Sequence, residues 1–238
     1  MSSVQARSTE DLSVDDRTAR ARIRDAAIVC FAENGITGTT ARKVAAAAGV
    51  SPGLVIHHYG TMEGLRSACD EHVALTIRNL KYEAIDEGPN LDVLAALRGV
   101  TDAPLLGYLG AVLGDDSPIV NKLVDDLVND AEGYMEHGVE TGMLRSSANP
   151  GGRAAVLMLW SLGALVMHRH LNRILGVDLT DPNVGADPAM AAYAAPAYEI
   201  MGLGILTEPL ATHLQTVFTH PPAEDPSPEP ASTSKEDA

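Results

Sequence analysis

Apolar residues recur at helical spacing along most of the chain, and no stretch alternates as a β-strand does. Ile23, Ala27 and Phe31 stand four residues apart, which places them on one face of a helix. Gly35 follows this helix where a C-terminal cap is expected. The pattern predicts an all-α protein whose first helix covers residues 17–34.

Capping residues divide the next part of the chain into short helices. Ser51 is followed by Pro52, and proline at the first helical position lacks the N–H that would stay unbonded there. Threonines and glycines mark the other starts and ends in the same way. The sequence therefore predicts a helix that starts at Thr39 or Thr40 and ends at residue 48, followed by helices over 51–60 and 61–86.

The remainder also has helical patterning. Pro196 is expected to kink the helix that contains it. The most apolar stretch, 154–167, is shorter than the roughly 18–20 residues that span a bilayer, so it is interpreted as a buried helix. The remaining predicted helices cover 91–99, 102–114, 117–144, 152–175, 189–206 and 209–218.

Composition changes at both ends of the chain. Residues 1–16 are polar and lack a period, and residues 220–238 are acidic and rich in proline. Neither end has enough apolar surface to order itself. We expect a disordered arm over 1–16, a small helical domain over 17–64, a larger helical domain over 65–219 and a disordered tail over 220–238.

Charge is unevenly distributed. The net charge is −15, yet residues 17–66 hold seven basic and three acidic side chains and the rest of the chain carries −19. This asymmetry is typical of a nucleic-acid module joined to an acidic body. The two cysteines are interpreted as reduced thiols, and the polar N-terminus does not have the pattern of a signal peptide, so a cytoplasmic location is expected.

Residues 39–59 have the pattern of a helix-turn-helix. Ala45, Ala48 and Gly49 allow two helices to approach closely, Val50 fills the corner, and Ser51 starts the second helix. In such a motif the second helix enters the major groove with its first residues at the base edges.

The longer stretch TTARKVAAAAGVSPGLVIHHYGTMEGL, preceded by Phe31, Ala32 and Gly35, resembles the tetracycline-repressor (TetR) family of bacterial transcription regulators. The resemblance covers about residues 19–75. It implies a dimeric regulator in which a helix-turn-helix domain reads a palindromic operator and a larger helical domain binds a ligand. The matching positions are Thr39, Val44, Ala45, Ala48, Gly49, Val50, Ser51, Gly53, His58, Tyr59, Glu63 and Leu65.

Two positions depart from the family pattern. Ile56 replaces a tyrosine in the recognition helix, and Met62 replaces a lysine at the start of the fourth helix; in the family both commonly contact phosphates. Loss of the tyrosine and the lysine weakens binding to the DNA phosphates. We expect the basic residues of the first helix to compensate for this loss. The predicted DNA-binding residues are Arg20, Arg22, Thr40, Arg42, Lys43, Ser51, Pro52, Gly53, Leu54, His57, His58 and Thr61.

The family resemblance places dimerisation on the helices 152–175 and 189–206, although an ordinary internal core would have the same apolar pattern. The low aromatic content favours an aliphatic pocket for a flexible apolar molecule. The predicted dimer residues are Leu159, Leu162, Val166, Tyr193, Ala197 and Ile200. The predicted ligand-binding residues are Tyr82, Tyr108, Tyr134, Met135, Trp160 and Met167.

The sequence therefore predicts a homodimeric repressor that a small apolar effector releases from double-stranded DNA. One alternative is a family member with weakened DNA binding that activates transcription or acts through a protein partner. A second alternative, an enzyme, would use His168 and His170, but residues two apart on a helix point to different faces. No metal-ligand spacing or phosphate loop is present in the sequence, so we expect no catalysis, metal, cofactor or membrane partner.

Overall fold

The computed structural model describes residues 9–88, 104–181 and 183–219, with side chains from residue 17 to 215 in these ranges. Every regular element in them is helical, which confirms the all-α prediction. Two short 3₁₀ helices, Val184–Ala186 and Pro188–Met190, lie in the predicted loop before the last helices. The α-helices are α1 Thr9–Gly38, α2 Ala41–Ala48, α3 Pro52–Tyr59, α4 Met62–Asp86, α5 Leu105–Val112, α6 Pro118–Glu140, α7 Pro150–Val166, α8 His168–Leu175, α9 Ala191–Gly202 and α10 Glu208–Thr219.

Side-chain caps begin the three helices that follow α1. Each cap oxygen accepts a backbone N–H that the helix itself leaves unbonded. Gly49 closes α2 with a φ of +66°, a left-handed conformation that favours glycine. The capping bonds are Lys43 N–H to Thr40 Oγ1 (3.3 Å), Leu54 N–H to Ser51 Oγ (3.2 Å) and Gly64 N–H to Thr61 Oγ1 (3.0 Å).

One hydrophobic core runs from α1 through α7. The periodic residues Ile23, Ala27 and Phe31 are at most 2% exposed, as their spacing predicts. The Tyr59 hydroxyl donates to the Arg20 carbonyl over 2.7 Å and so ties the end of α3 to α1. The two helices of the helix-turn-helix, α2 and α3, therefore pack on α1 as well as on each other.

Residues 17–64, which we call the DNA-reading segment after their predicted role, share this core with the larger domain. Residue 64, the predicted end of the DNA-binding domain, lies inside the uninterrupted helix α4. The rings of Phe31 on α1 and Tyr108 on α5 meet edge to face with centroids 5.9 Å apart. A Cβ placed on Gly107 would stand 3.4 Å from the Ala32 Cβ, so the two helices are in close contact.

Several predicted boundaries differ from the structure. Residues 9–16, expected to be disordered, continue α1 as helix. The predicted helix 152–175 is two helices, α7 and α8, bent by 76°. His168 is the first residue after the bend. Its Nδ1 lies 3.2 Å from Oδ1 of Asp178. Helix α6 ends at residue 140 rather than 144.

Some predictions fall on residues outside the described ranges: residues 1–8 of the arm, the helix 91–99 and the tail 220–238. No single described helix is both long and apolar enough to cross a bilayer. The bent pair α7 and α8, taken together, has sufficient length and apolar composition, and this is the only respect in which the pair resembles a membrane span. The chain divides into two compact units after Tyr193. The second holds most of α9, with Pro196 inside it, and all of α10.

Candidate nucleic-acid interface and effector site

Helix α3 has one buried face and one accessible face. Val55 is 1% exposed and anchors α3 against the buried Val44 and Ala45 of α2. The predicted base-reading side of α3 is open at residues 51–53 and at Ile56 and His57, whereas Leu54 and His58 are half-buried. The structure thus presents the first turn of α3, as a helix-turn-helix reader requires.

The capped helix starts offer further contacts to phosphate. Thr40, Ser51 and Thr61 are all exposed, and each caps a helix whose first N–H groups have no partner within the helix itself. Helix N-termini attract anions because unbonded N–H groups and the helix dipole both favour negative charge. These three helix starts can therefore donate hydrogen bonds to the phosphate backbone of DNA without a cationic side chain.

Arg20 lies beside the recognition helix. Its guanidinium carbon is 5.4 Å from the centroid of the Tyr59 ring, and the side chain is exposed. Stacking on an aromatic face orients a guanidinium without using its N–H donors. Arg22, two residues on, projects from a different face of α1. The two predicted arginines are therefore not equivalent.

The other cations of the DNA-reading segment differ in availability. Arg42 is exposed at the start of α2. The Lys43 ammonium already donates to Asn34 Oδ1 (2.9 Å) and to the Gly38 carbonyl (2.8 Å), which leaves one of its three N–H groups. Arg66, counted in the basic charge of this segment, is 6% exposed and pairs with Asp115 over 3.0 Å, so it is not at the surface.

The two departures from the family pattern occupy different environments. Ile56 is 42% exposed on α3. An exposed isoleucine can make apolar contact with a thymine methyl group in the major groove. Met62 is partly buried and packs against the hydrophobic core. Neither side chain can donate a hydrogen bond to phosphate.

Three of the predicted effector residues lie where α4 and α6 pack together. The rings of Tyr82 and Tyr134 meet edge to face at 6.4 Å. A Cβ at Gly133 would be 3.0 Å from the Tyr82 hydroxyl oxygen, so glycine leaves space for that hydroxyl. Met135 is partly buried against the core, and burial raises the pKa of Tyr134 to about 12.

The other three predicted effector residues are elsewhere. Tyr108 is fully buried between Phe31 of α1 and Asp70 of α4, to which its hydroxyl donates. Trp160 and Met167 are 38% and 57% exposed, on α7 and at the residue that follows it. Apolar composition predicted a shared pocket; Tyr108 is enclosed in the core, whereas Trp160 and Met167 are exposed in the single chain.

Helix α7 carries an exposed apolar stripe that we call the α7 stripe. Pairs of its members stand three, four or seven residues apart, so they lie toward one side of the helix. Leu162, predicted to be a dimer residue, is not part of it because it is 6% exposed inside the core. The α7 stripe consists of Val156, Leu159, Trp160, Val166 and Met167, which are 38–67% exposed.

The remaining predicted dimer residues fall on α9. Tyr193 packs partly against the core of the first unit. In the second unit Ala197 is half-buried, Ile200 is 42% exposed, and Tyr198 and Met201 are 53% and 51% exposed. This part of the chain therefore also has a large apolar surface.

A buried polar cluster was not among the sequence-based predictions. Arg66 and Asp70, one helical turn apart on α4, are each 6% exposed. Arg66 pairs with Asp115, and the Tyr108 hydroxyl donates to Asp70 Oδ1 over 2.5 Å. Their spacing of four was the available signal, but that spacing is equally common on solvated helix faces.

The two histidines considered for catalysis lie in different environments. His168 is half-buried and held by Asp178, whereas His170 is exposed. Over the described ranges, no group of three or more histidine, cysteine, aspartate or glutamate side chains is arranged to hold a metal ion.

Two family models match the chain. Residues 23–69 match the bacterial regulatory proteins of the tetR family, and residues 101–207 match a tetracyclin repressor-like C-terminal domain. The first match ends within α4, and the second begins just before α5.

Individual relatives agree with the models. The chain is 37% identical over 158 residues to the HTH-type transcriptional regulatory protein RaaS of Mycobacterium tuberculosis, covering 66% of this chain and 74% of RaaS. It is 37% identical over 54 residues to the HTH-type transcriptional regulator BetI of Paraburkholderia phymatum, covering 23% and 28%. A TetR-family transcriptional regulator structure from Rhodococcus sp. shares the fold, with a TM-score of 0.54, 17% identity and coverage of 76% and 97%.

Proposed function

The chain belongs to the tetR family of bacterial regulatory proteins, and from this premise we propose that it is a dimeric repressor released from a palindromic operator by a small apolar molecule. The observation that carries this proposal is the accessible first turn of α3 flanked by three capped helix starts. We place its action on DNA in the bacterial cytoplasm.

DNA contact in this proposal combines helix starts and arginines. Thr40, Ser51 and Thr61 offer hydroxyl groups and neighbouring backbone N–H groups to phosphates. Arg20, oriented on the Tyr59 ring, supplies the cation that Met62 does not. The side chains of Leu54, Ile56 and His57 face the bases.

Dimerisation in this proposal uses the α7 stripe. Soluble monomers rarely expose a continuous apolar patch of this kind, and a self-complementary patch pairs naturally about a two-fold axis. The apolar residues of α9 form a second contact region. Two recognition helices, one from each copy, then read two half-sites.

Effector binding is assigned to the contact of α4 and α6 near Tyr82, Tyr134 and Met135. A molecule inserted beside these rings must move α4 relative to α6, and α4 continues directly into the DNA-reading segment. A ligand shifts the equilibrium by its difference in affinity for the two arrangements. The apolar lining favours a flexible apolar effector.

One observation favours a second candidate function. Ile56 and Met62 replace both phosphate donors of the family pattern by apolar side chains. A weak reader of this kind would activate transcription or act through a protein partner rather than repress alone.

Fluorescence anisotropy separates the two functions. The full chain is titrated into labelled DNA from immediately upstream of its own gene and into the same bases scrambled, at several salt concentrations. Selective binding whose logarithm falls steeply and linearly with the logarithm of salt supports the repressor. Equal weak binding to both sequences at every salt concentration would contradict it and favour the partner-dependent reader.

A further inference from the structure

A cavity lies between α1 and α4, beside Tyr59 at the end of α3. We call it the α1–α4 cavity. Its volume is about 340 Å³, which is within the range of roughly 300–1,000 Å³ that small-molecule sites occupy. The Tyr82–Tyr134 pair is not part of its lining, so the α1–α4 cavity is separate from the effector site assigned above.

The α1 wall of this cavity is basic. Arg17, Arg20 and Arg24 line it together, because residues three and four positions apart lie on one face of a helix. Glu71 is the acidic residue of the lining, on the α4 wall. Three guanidinium groups against one carboxylate give the lining an excess of positive charge, which favours an anion with more than one negative charge.

Two of these arginines are oriented by neighbouring groups. The Arg20 guanidinium carbon lies 5.4 Å from the centroid of the Tyr59 ring, and this stacking leaves the N–H groups of the guanidinium to donate elsewhere. Arg24 donates from Nε and Nη2 to Asp25 Oδ1 over 3.0 and 2.7 Å, and its Nη1 group is not part of that pair. An oriented guanidinium loses less conformational entropy when it binds an anion.

The positive charge of these arginines also acts on Tyr59 and His72, which both line the cavity. Burial lowers the pKa of His72, and Arg24 lowers it further against the smaller, opposite effect of Asp25. Burial raises the pKa of Tyr59, and Arg20 and Arg24 oppose that rise. Arg24 therefore acts as a cation at the cavity even though it is paired with Asp25.

Part of the lining is apolar. Ala21 and Ala68 are small and half-buried between the two helices, and Leu75 is 43% exposed. An apolar group bound in the cavity would cover the Leu75 side chain and remove its surface from water, which is favourable. The lining therefore suits a molecule with an anionic end and a small apolar end.

The donors favour a phosphate over a carboxylate as the anionic end. A guanidinium binds phosphate through two parallel N–H groups. A phosphate monoester has three strong acceptor oxygens and a charge of about −1.5 to −2 at pH 7. A carboxylate has two acceptor oxygens and a single charge, so it would satisfy fewer of the arginine N–H groups.

We propose that the α1–α4 cavity binds a small phosphate monoester whose phosphate accepts hydrogen bonds from Arg20 and Arg24 and whose apolar group lies against Leu75. Binding of the monoester requires no DNA. Under the proposed function Arg20 also contacts a DNA phosphate, so a bound monoester would compete with DNA for this arginine. That consequence alone rests on the proposed function.

Isothermal titration calorimetry of the full chain with phenyl phosphate, at pH 7.5 and without DNA, tests the site independently of DNA binding. We expect saturable binding of one phenyl phosphate per chain and no binding of phenol, which has the ring without the phosphate. Methyl phenyl phosphate is a singly charged diester, as is each phosphate of the DNA backbone. It should bind at least about tenfold more weakly than the monoester.

Variants of α1 locate the site. Arg20→Gln removes a cation from the lining and keeps the main-chain carbonyl that accepts the Tyr59 hydroxyl. It should weaken phenyl phosphate binding by at least about tenfold, and Arg24→Gln, a second variant in case the first fails to fold, should do the same. Arg22→Gln removes the same charge from the same helix outside the lining and should leave binding unchanged.

Four results would each overturn the proposal. The first is the absence of saturable binding of phenyl phosphate to the wild type, and the second is equal binding of phenol. The third is equal binding of the diester, which would assign the arginines to the DNA backbone instead. The fourth is an equal loss of binding in Arg20→Gln and Arg22→Gln, which would mean that overall charge rather than this cavity attracts the anion.

Discussion

The Tyr108 hydroxyl donates to Asp70 over 2.5 Å, and the same tyrosine ring packs against Phe31. One side chain of α5 thus contacts both helices that enter the DNA-reading segment, α1 through its ring and α4 through its hydroxyl. Both residues of the hydrogen bond are buried. The bond is therefore shielded from competition by water.

Removing this hydroxyl should destabilise the protein. In Tyr108→Phe the ring contact with Phe31 remains, but Asp70 Oδ1 is left without its donor in a buried site. We expect the free energy of unfolding to fall by about 1–3 kcal/mol, measured by urea denaturation at pH 7.5. Tyr134→Phe is the matched control, because no described residue hydrogen-bonds to that hydroxyl; an equal decrease there would refute the assignment.

Asp70 should make stability depend on pH. Burial raises the pKa of its carboxyl from 3.8 to about 6 in the folded chain, so the folded state holds this proton over a range where the unfolded state has released it. The stabilisation is complete below about pH 4 and is lost as the pH rises through 6, by roughly 3 kcal/mol. The measurement is urea denaturation at pH 5 and pH 7.5.

Asp70→Asn isolates this contribution from the many other carboxylates of the chain. The change in unfolding free energy between the two pH values should be smaller in the variant by the amount Asp70 supplies. Identical pH dependence in variant and wild type would show that Asp70 titrates normally.

Arg20 and Arg22 should differ in their effect on DNA binding. Arg20 stands on the Tyr59 ring beside α3, whereas Arg22 points from another face of α1. Arg20→Ala keeps the main-chain carbonyl that accepts the Tyr59 hydroxyl. It should weaken binding equally for all DNA sequences and lower the slope of log affinity against log salt by about 0.9 for each phosphate that Arg20 neutralises.

Arg22→Ala serves as the charge-matched control in the same anisotropy assay, since it removes the same charge from the same helix. We expect little change in its salt slope. A larger change in the salt slope for Arg22→Ala than for Arg20→Ala would contradict the proposal, because it would mean that Arg22 rather than Arg20 contacts the phosphates.

Placing a lysine at position 62, as in the family pattern, should strengthen binding to the DNA phosphates. Met62 follows the cap Thr61 at the start of α4, and the aliphatic part of a lysine can occupy the same partly apolar surface. Met62→Lys should increase affinity at low salt and steepen the salt slope by about 0.9 for each phosphate that the new ammonium neutralises. Met62→Gln, uncharged and of similar length, should leave the slope unchanged; a slope unaffected by lysine would mean that this position does not reach the DNA backbone.

The α7 stripe should control oligomeric state. Leu159 is 56% exposed in the single chain, so Leu159→Glu should be tolerated by a monomer but would bury two carboxylates in a symmetric dimer. We expect the dimer dissociation constant to rise at least about 100-fold, measured by sedimentation velocity. Val29→Glu, at a 38% exposed site on α1, is the control, and a Leu159→Glu protein that stays dimeric would locate the interface elsewhere.

Local signals predicted the DNA-reading segment well. Caps and glycines are determined by residues a few positions apart, so Ser51 and Thr61 could be assigned as caps from the sequence, and of the two candidates Thr39 and Thr40 the structure places Thr40 at the helix start. The periodic burial of Ile23, Ala27 and Phe31 followed from their spacing. Family resemblance added the use of this segment as a DNA reader.

Relationships between distant residues could not be predicted in this way. Leu159 and Leu162 are both leucines of one apolar helix, yet Leu159 is exposed and Leu162 is buried, because neighbouring helices cover only one side. Arg66 counts toward a basic surface in the sequence, but it pairs with Asp115, 49 residues away. At the break between α7 and α8, His168 likewise pairs with Asp178, ten residues further along the chain.

The close packing of α1 on α5 has a consequence for how the protein senses DNA. A side chain larger than hydrogen at residue 107 would stand in contact with the Ala32 Cβ, so the two helices pack directly on each other. Under the proposed function, a duplex held by the recognition helix would therefore constrain α5 through α1, just as a molecule bound in the body would constrain the recognition helix. Since linkage is reciprocal, an occupied operator would then act as an effector in its own right, and Tyr108 is the side chain through which α5 would respond.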